Sequence, residues 1–221
     1  MGANQTRTEN PAARLQLGGQ QMQRATSPQA IADTQDRLRH AALELFTSQG
    51  YQSTSLRDLA AHLGMQAGSL YNHIESKQAL LFDLIEEALD ALLAETRSSI
   101  RRGKNREERL RLFVQVSLCF QKREHKRMTL IHRETINLTQ EQQQQVQHLV
   151  DEYAGCLEWV IADHRSTTVT PDSRLKLLTG AIIGMIQGLQ SWGCNDPSPP
   201  LREEVEQLTR MINGAIGAAS A

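Results

Sequence analysis

The chain has 221 residues, of which 39% are hydrophobic, and its formal net charge is −1 at pH 7. This length and hydrophobic content are sufficient for one substantial domain or two small ones, and they argue against a disordered chain. The nearly balanced charge excludes binding to nucleic acid through overall charge alone, so any basic surface has to be local.

The three cysteines, Cys119, Cys156 and Cys194, are far apart in the chain and show no Cys-x-x-Cys spacing. This pattern predicts reduced, buried thiols, as in a cytoplasmic protein. No apolar run reaches the roughly 18 residues of a membrane span, and the N-terminus lacks the apolar core of a signal peptide. We therefore expect a cytoplasmic location and no membrane partner.

Residues 1–26 are rich in Gln, Asn, Ala and Arg and poor in large apolar residues, which predicts a disordered N-terminal tail. Its net positive charge has two interpretations, an arm that lies along a DNA minor groove or a solvated extension, and the second is favoured. Ser27 and Pro28 then favour the start of a helix, and Gly50 favours its end.

Residues 53–77, STSLRDLAAHLGMQAGSLYNHIESK, predict two short helices joined by a tight turn and followed by a longer third. Ser55 and Asp58 have the spacing of a capping box, and apolar residues then recur at helical intervals. Gly64 stands where a chain leaves a helix through a left-handed residue. After it, the side chains from Gln66 to Ser69 are small or hydrogen-bonding. A helix of this kind, held by the preceding one, suits contact with base edges in the DNA major groove.

A set of residues in this stretch also matches a known family motif. It consists of Thr54, Arg57-Asp58-Leu59-Ala60, Gly64, Gly68-Ser69-Leu70-Tyr71-x-His73 and Ser76-Lys77-x-x-Leu80-Leu81. With these residues the chain resembles the N-terminal domain of the TetR family of transcriptional regulators over roughly residues 34–85. One departure is Ile74, where the family has an aromatic residue.

The resemblance implies a homodimeric DNA-binding regulator, a repressor that binds a palindromic operator in double-stranded DNA and is released by a small-molecule ligand. Following the motif position by position, it also implies a set of DNA-binding residues, some facing bases and others phosphates. They are Thr54, Ser55, Arg57, Gln66, Ala67, Gly68, Ser69, Tyr71, Asn72, His73 and Lys77.

The whole chain predicts an all-α fold of about nine helices, with a helix-turn-helix DNA-binding domain at residues 27–75 and a larger ligand-binding and dimerisation domain at residues 76–221. Ser76 is the expected cap of a long helix that ends near Arg102. Such a helix, which starts at the DNA and ends in the larger domain, would act as a lever between the two.

Further along, Asn105 and the capping-box pair Thr139 and Gln142 predict the starts of two more helices. Between these helices, the polar residues 121–126 predict a link, and residues 128–138 predict a short helix.

Three glycines fall four residues apart on one face of a predicted helix near the C-terminus: Gly180, Gly184 and Gly188. Each glycine weakens a helix by about 1 kcal/mol relative to alanine, so close approach of another helix is expected to offset the cost. Gly214 and Ala218 offer a matching small face in the last helix. We interpret these helices as an isologous four-helix dimer interface, and the alternative is tight packing within one chain.

Bulky apolar side chains in the predicted helices five to eight suggest a ligand cavity: Phe113, Phe120, Met128, Ile131, Tyr153, Trp159, Met185 and Trp192. Each of them taken singly is more typical of a core. The family resemblance implies a small hydrophobic or acyl-type ligand, with Lys126, Arg127 or Arg133 paired to its phosphate or carboxylate. The alternative for these cations is an exposed, salt-bridged face.

No motif favours an enzyme, a metal site or a cofactor. His125, His132, Glu134 and His148 lack the spacing that places two imidazoles on one helix face. A nucleophile or base with a partner at defined spacing is also missing from the sequence. A second class of function stays open, a helical adaptor that binds a protein through its glycine-lined helices and has lost DNA binding.

Overall fold

The computed structural model of the protein describes residues 28–162, 173–191 and 200–220. Nine α-helices and one 3-10 turn occupy these ranges, and no strand occurs in them, which confirms the predicted all-α class. The predicted tail, Ser27, Trp192 and Cys194 lie outside the described residues. The helices are α1 Pro28–Gln49, α2 Leu56–His62, α3 Ala67–Leu70, α4 Lys77–Ile100, α5 Arg106–Arg123, α6 His125–Glu134, the 3-10 turn Thr135–Asn137, α7 Gln140–Ile161, α8 Ser173–Ser191 and α9 Leu201–Ser220.

The chain divides into two compact units, and the division falls between Lys77 and Gln78. We call residues 28–77 the head and the described residues from 78 to 220 the body. The predicted domain boundary lies two residues before this division. Within the described ranges, no helix combines the length and hydropathy that crossing a bilayer demands.

The head is built on the apolar face of α1, from which Leu38, Ala42 and Phe46 are buried. Leu59 of α2 and Leu70 of α3 are also fully buried. Residues four or seven apart in α1 share a face, so one stripe of this long helix supplies the surface on which the two short helices pack. Burial of these side chains holds α2 and α3, which are too short to be stable helices alone.

The body has one continuous hydrophobic core, to which α4 to α9 all contribute. Phe113 of α5 stacks on Tyr153 of α7 with ring centroids 5.2 Å apart. The Tyr153 hydroxyl is 2.6 Å from the Ser117 hydroxyl, so this buried polar group has a hydrogen-bond partner. Burial raises the pKa of Tyr153, and the phenol therefore stays protonated at neutral pH.

The predicted polar link at residues 121–126 is wrong. Helix α5 continues to Arg123 and α6 begins at His125, so only Glu124 separates them, and its N–H donates to the Phe120 carbonyl at 2.8 Å. Gln121 is buried within α5. The polar residues form the last turn of a helix, where cations are favoured near the free carbonyl groups, instead of a loop. The short helix is correspondingly shifted, from the predicted 128–138 to His125–Glu134 and the 3-10 turn.

The connection between α4 and α5 is longer than the sequence predicts. Helix α4 ends at Ile100, two residues before the expected Arg102. A Cβ on Gly103 would lie 2.5 Å from Arg109 Cγ and 2.9 Å from its backbone nitrogen, so glycine alone fits this approach. The Asn105 side chain accepts a hydrogen bond from the Glu108 N–H at 2.8 Å, which confirms it as the cap of α5.

Candidate DNA-binding surface and dimer face

The start of α2 is fixed by the capping box between Ser55 and Asp58. The Asp58 N–H donates to Ser55 Oγ at 3.2 Å, and the Ser55 N–H donates to Asp58 Oδ2 at 2.7 Å. The Ser55 hydroxyl also donates to Asp58 Oδ2, and these hydrogen bonds lower the pKa of the Asp58 carboxyl. The predicted box is confirmed, and because Ser55 and Asp58 are exposed, the cap stands at the surface of the head.

The turn between α2 and α3 depends on Gly64, whose φ of 66° lies in the left-handed region. The Met65 N–H donates back to the Ala60 carbonyl at 2.8 Å, and the Gly64 N–H donates to the Ala61 carbonyl at 3.1 Å. These bonds satisfy the carbonyl groups at the end of α2. The direction in which α3 leaves α2 is thus set by a backbone conformation that residues with a side chain rarely adopt.

Helix α3 buries Leu70 and presents the residues around it outward. Gln66, Gly68 and Asn72 are exposed, Ala67 and Ser69 are half-buried, and Tyr71 is 63% exposed. Arg57 on α2 is exposed as well. The hydroxyl of an exposed tyrosine is suited to a phosphate oxygen, and the small side chains leave room for a base edge to approach.

Two of the predicted DNA-binding residues hold the head together. Thr54 is 1% exposed, and its hydroxyl donates to the Gly50 carbonyl at 2.9 Å. The prediction for the Thr54 side chain is corrected accordingly, because the side chain faces the core and fixes the turn before α2. Lys77 Nζ donates to the carbonyls of Tyr51 and Thr54, both at 2.9 Å, and lies 4.2 Å from the centre of the Tyr51 ring. No local spacing in the sequence signals this contact, since 26 residues separate Lys77 from Tyr51.

His73 is half-buried, and its N–H donates to the Leu70 carbonyl at 2.8 Å. Its ring Nδ1 is buried without a hydrogen-bond partner among the described residues. The ring therefore has its Nδ1 side toward the interior of the head. Its predicted contact with DNA, like those of the exposed residues of α3, stays a prediction.

The glycine face of α8 lies opposite the side of that helix that packs into the body. At 100° per residue, Leu177, Gly180, Gly184 and Gly188 fall within about 80°, while the buried Ile182 and Ile186 lie on the other side. A Cβ built on any of the three glycines, or on Gly214 of α9, would meet no atom of the described residues within 4 Å. Tight packing against the described part of the chain is therefore excluded as the reason for these glycines.

Large apolar side chains flank these glycines and are exposed. Leu177 is 75% exposed and Met211 is 60% exposed, and Met185 is also at the surface. Exposed apolar side chains beside small residues are what a helix presents to another copy of the chain. The dimer interface at these residues stays a prediction.

The residues predicted to line a ligand cavity divide into two groups. Phe113, Phe120, Met128 and Tyr153 are buried in the core of the body, with Ile131 packed against them. Arg133 is exposed, and Trp159 and Met185 are about one-third exposed. Trp159 lines a cleft that none of the others lines. The ligand role of these residues stays a prediction. Among the described residues, no group of three or more His, Cys, Asp or Glu side chains could hold a metal ion.

Two family models match the chain. The one described as "Bacterial regulatory proteins, tetR family" matches residues 38–84, and the one described as "Tetracyclin repressor-like, C-terminal domain" matches residues 103–215. The chain belongs to the TetR family. These matches cover both the head and most of the body, so the TetR assignment extends well beyond the helix-turn-helix motif. TetR proteins are transcriptional regulators, not enzymes.

Curated relatives match less than half of this chain. The transcriptional repressor KstR2 of Mycolicibacterium smegmatis is 33% identical over 66 residues, which are 30% of this chain and 32% of the repressor. The nucleoid occlusion factor SlmA of Salmonella paratyphi B is 36% identical over 86 residues, 39% of this chain and 43% of SlmA. The match thus spans about a third of the length of the first curated relatives.

Solved structures are similar in fold over about four-fifths of this chain. AibR in complex with isovaleryl coenzyme A and operator DNA has a TM-score of 0.66 with 22% identity, over 79% of this chain and 97% of AibR. KstR2 of Mycobacterium tuberculosis has a TM-score of 0.69 with 21% identity, over 82% of this chain and 93% of KstR2. At these identities the likeness concerns the fold alone.

Proposed function

We propose that the protein is a homodimeric transcriptional repressor that binds a palindromic operator in double-stranded DNA and is released from it by a small hydrophobic or acyl-type ligand bound in the body. The observation that carries the proposal is the outward face of α3. There a rigidly turned helix anchored by the buried Leu70 exposes Gln66, Gly68 and Tyr71. Small and hydrogen-bonding side chains at this place match what a major groove accepts.

Dimerisation is part of the proposal because a single head reads one half-site only. The uncovered apolar face of α8 and α9 supports a pair related by a twofold axis, in which the same residues face each other. With Gly180, Gly184 and Gly188 at its centre, the helix of one protomer can lie close to that of its partner. Two linked heads bind a palindrome far more tightly than two separate ones.

The DNA-contacting roles are divided between two kinds of residue. Tyr71, Arg57 and Lys77 would hold phosphates and contribute affinity for any sequence. Gln66 and Ser69 would face base edges and contribute the preference for one operator. Because Lys77 already donates to two carbonyls of the head, we assign it a positioning role in addition to any phosphate contact.

The chain shares its fold with AibR, whose structure holds isovaleryl coenzyme A and operator DNA. This similarity supports the proposed class of ligand. The aromatic and apolar residues of the body, with Arg133 at its surface, provide the corresponding chemistry for an acyl chain and an anionic group.

A gel-shift titration against the promoter region next to the protein's own coding region tests the proposal. We expect a salt-sensitive shift that competitor DNA of random sequence does not abolish. Ser69→Ala should change the ranking of operator variants, while Tyr71→Phe should weaken binding to all of them alike. A dimer that gives no sequence-preferring shift would refute the proposal in favour of the adaptor. Equal effects of both substitutions on every operator variant would refute the division of roles.

A further inference from the structure

A cleft of about 450 Å³ opens in the body between the last turns of α4 and α7. It is lined by Arg97, Ile100, Arg101, Glu152, Gly155, Cys156 and Trp159. The volume lies within the range of small-molecule sites and is too small for a macromolecule. Arg97 and Arg101 are four residues apart in the chain, as are Gly155 and Trp159, so the members of each pair lie on the same side of their segment.

The cleft carries one positive charge that no side chain of the described residues neutralises. Arg97 is paired with Glu152 at 3.2 Å, and Glu152 is also 3.6 Å from His148 Nε2. The Arg101 side chain is exposed, and it forms no hydrogen bond or ion pair with any part of the described chain. A guanidinium in this position offers a planar pair of donors to a carboxylate or phosphate.

One of the residues that line the cleft is aromatic. Trp159 is 37% exposed, and the guanidinium of Arg109 lies 4.7 Å from the ring centre. Arg109 does not line the cleft, so it braces the indole from outside the cleft. Its position is fixed in turn by a hydrogen bond from Nε to the Gly103 carbonyl at 3.1 Å. The indole is thus held in place while part of its surface faces the cleft.

Gly155 leaves the space beside this ring open. It lies one turn before Trp159 on α7, and a Cβ there would meet no atom of the described residues within 4 Å. The floor of the cleft is formed by Ile100 and Cys156, which are almost completely buried. Burial raises the pKa of the Cys156 thiol, so the floor is uncharged at neutral pH.

We propose that this cleft binds a planar aromatic anion, whose ring lies against Trp159 above Gly155 and whose carboxylate or phosphate pairs with Arg101. Both small aromatic acids and adenine nucleotides carry this chemistry. This inference rests on one part of the proposed function, namely that the body binds a small ligand. It does not depend on DNA binding by the head.

Isothermal titration calorimetry of the full-length protein distinguishes the two sources. The probes are phenylacetate and adenosine monophosphate, each compared with its uncharged relative, phenylacetamide or adenosine, and with acetate or inorganic phosphate, which lack the ring. We expect one of the two aromatic anions to bind about tenfold more tightly than its uncharged relative and than the ring-free anion. Binding of phenylacetate would identify the ligand as a small aromatic acid, and binding of adenosine monophosphate would identify it as an adenine nucleotide.

Two substitutions locate the site, and one serves as a matched control. Arg101→Gln removes the charge, and Gly155→Leu adds a side chain beside the indole at a position where a Cβ would meet no atom of the described residues within 4 Å. Each should weaken binding of the aromatic anion by about tenfold or more. Arg102→Gln removes the same charge next to the cleft, at a side chain that donates to Ser99, and should leave binding unchanged.

Three results would overturn the inference. They are the absence of binding of either aromatic anion at millimolar concentration, equal binding of the ring-free anions, and unchanged binding in both Arg101→Gln and Gly155→Leu.

A gel shift with the same preparations distinguishes a failure of the cleft inference from a failure of the proposed function. If the operator shift persists while no aromatic anion binds, the cleft inference is wrong and the repressor stands. If the anion binds at the cleft and no operator shift occurs, the repressor is wrong and the cleft stands.

Discussion

The head and the body each leave one face uncovered, and the two faces have opposite chemistry. In the head, the exposed face around α3 consists of Gln66, Gly68 and Tyr71, which offer donors, acceptors and room. In the body, the exposed face of α8 and α9 carries Leu177 and Met211 beside a row of glycines. The face around α3 suits contact with DNA, which is hydrated and charged. The face of α8 and α9 suits contact with the same two helices of another protomer.

The reason for a glycine also differs between the head and the body. Gly64 is required by its own backbone, because its φ is positive. Gly184 is in regular helix with open space beside it, so nothing within the described chain requires it. A glycine of the first kind is explained by the fold of one protomer, whereas for a glycine of the second kind we propose contact with a partner protomer.

The largest effect is expected from Gly184→Glu, which places a charge at the centre of the glycine face. The body should fold normally, because a Cβ at this position would meet no atom of the described residues within 4 Å, but a charge buried between two protomers is unfavourable. We expect a monomer in sedimentation and operator binding at least about a hundredfold weaker, because the two half-sites are no longer linked. Gln144→Glu, which adds the same charge to an exposed position on α7, should leave the dimer intact. A Gly184→Glu protein that remains dimeric would falsify the assignment of this face.

Gly64→Ala tests the other kind of glycine. A left-handed backbone costs a residue with a side chain about 1–2 kcal/mol, so thermal unfolding of the head should occur several degrees lower. Gly68→Ala is the matched control, since this glycine lies in α3 without a positive φ and its Cβ would have open space. Its unfolding temperature should be unchanged or slightly raised. Equal losses in both variants would show that loss of glycine itself, not backbone conformation at Gly64, is responsible.

Tyr71→Phe measures the polar chemistry of the head face. The ring and its packing are retained, and only a hydroxyl at an exposed position is lost. If this hydroxyl donates to a phosphate, affinity should fall by about tenfold for every operator variant, with the ranking of variants preserved. Fluorescence anisotropy with a panel of operators provides the measurement. A changed ranking would mean that Tyr71 contacts bases.

The smallest effect concerns the cap of α2 and its dependence on pH. Hydrogen bonds from Ser55 lower the pKa of Asp58 below its ordinary value of 3.8, so the folded state favours the charged carboxylate. The stabilisation is therefore present above the ordinary pKa and is lost as pH falls through the lowered value. We expect Asp58→Asn to unfold at a slightly lower temperature than the wild type at neutral pH and the difference to shrink below about pH 4. Because Asp58 is exposed, solvent screening keeps the difference small. A difference independent of pH would assign it to another cause.

Local features could be predicted from the sequence because their partners are few residues apart. The capping boxes at Ser55 and Thr139 and the asparagine cap of α5 each join residues three positions apart, and all three are confirmed. The exposed residues around α3 could also be predicted from nearby positions, since Leu70 marks the buried side of this helix. The predicted link between α5 and α6 was wrong, because the polar residues on the surface of a helix resemble those of a loop.

Contacts between distant residues could not be predicted in this way. The Lys77 ammonium group is held by carbonyls 23 and 26 residues earlier in the chain, and Gln78 donates to the Asn137 carbonyl 59 residues later. The cleft at Trp159 combines residues of α4 and α7 with an indole braced from α5. Each of these depends on which helices pack together, and no spacing along the chain encodes that.

By itself, the sequence determined the helical class, the helix-turn-helix motif with its caps and turn, and the family, because periodicity and short-range hydrogen bonding are properties of neighbouring residues. Only the tertiary structure decided which polar side chains face inward, as Thr54 does, and which glycines are without a neighbour, as Gly184 is. The physical reason is that burial and open space are created by elements far apart in the chain, whose packing is a collective result of the whole core.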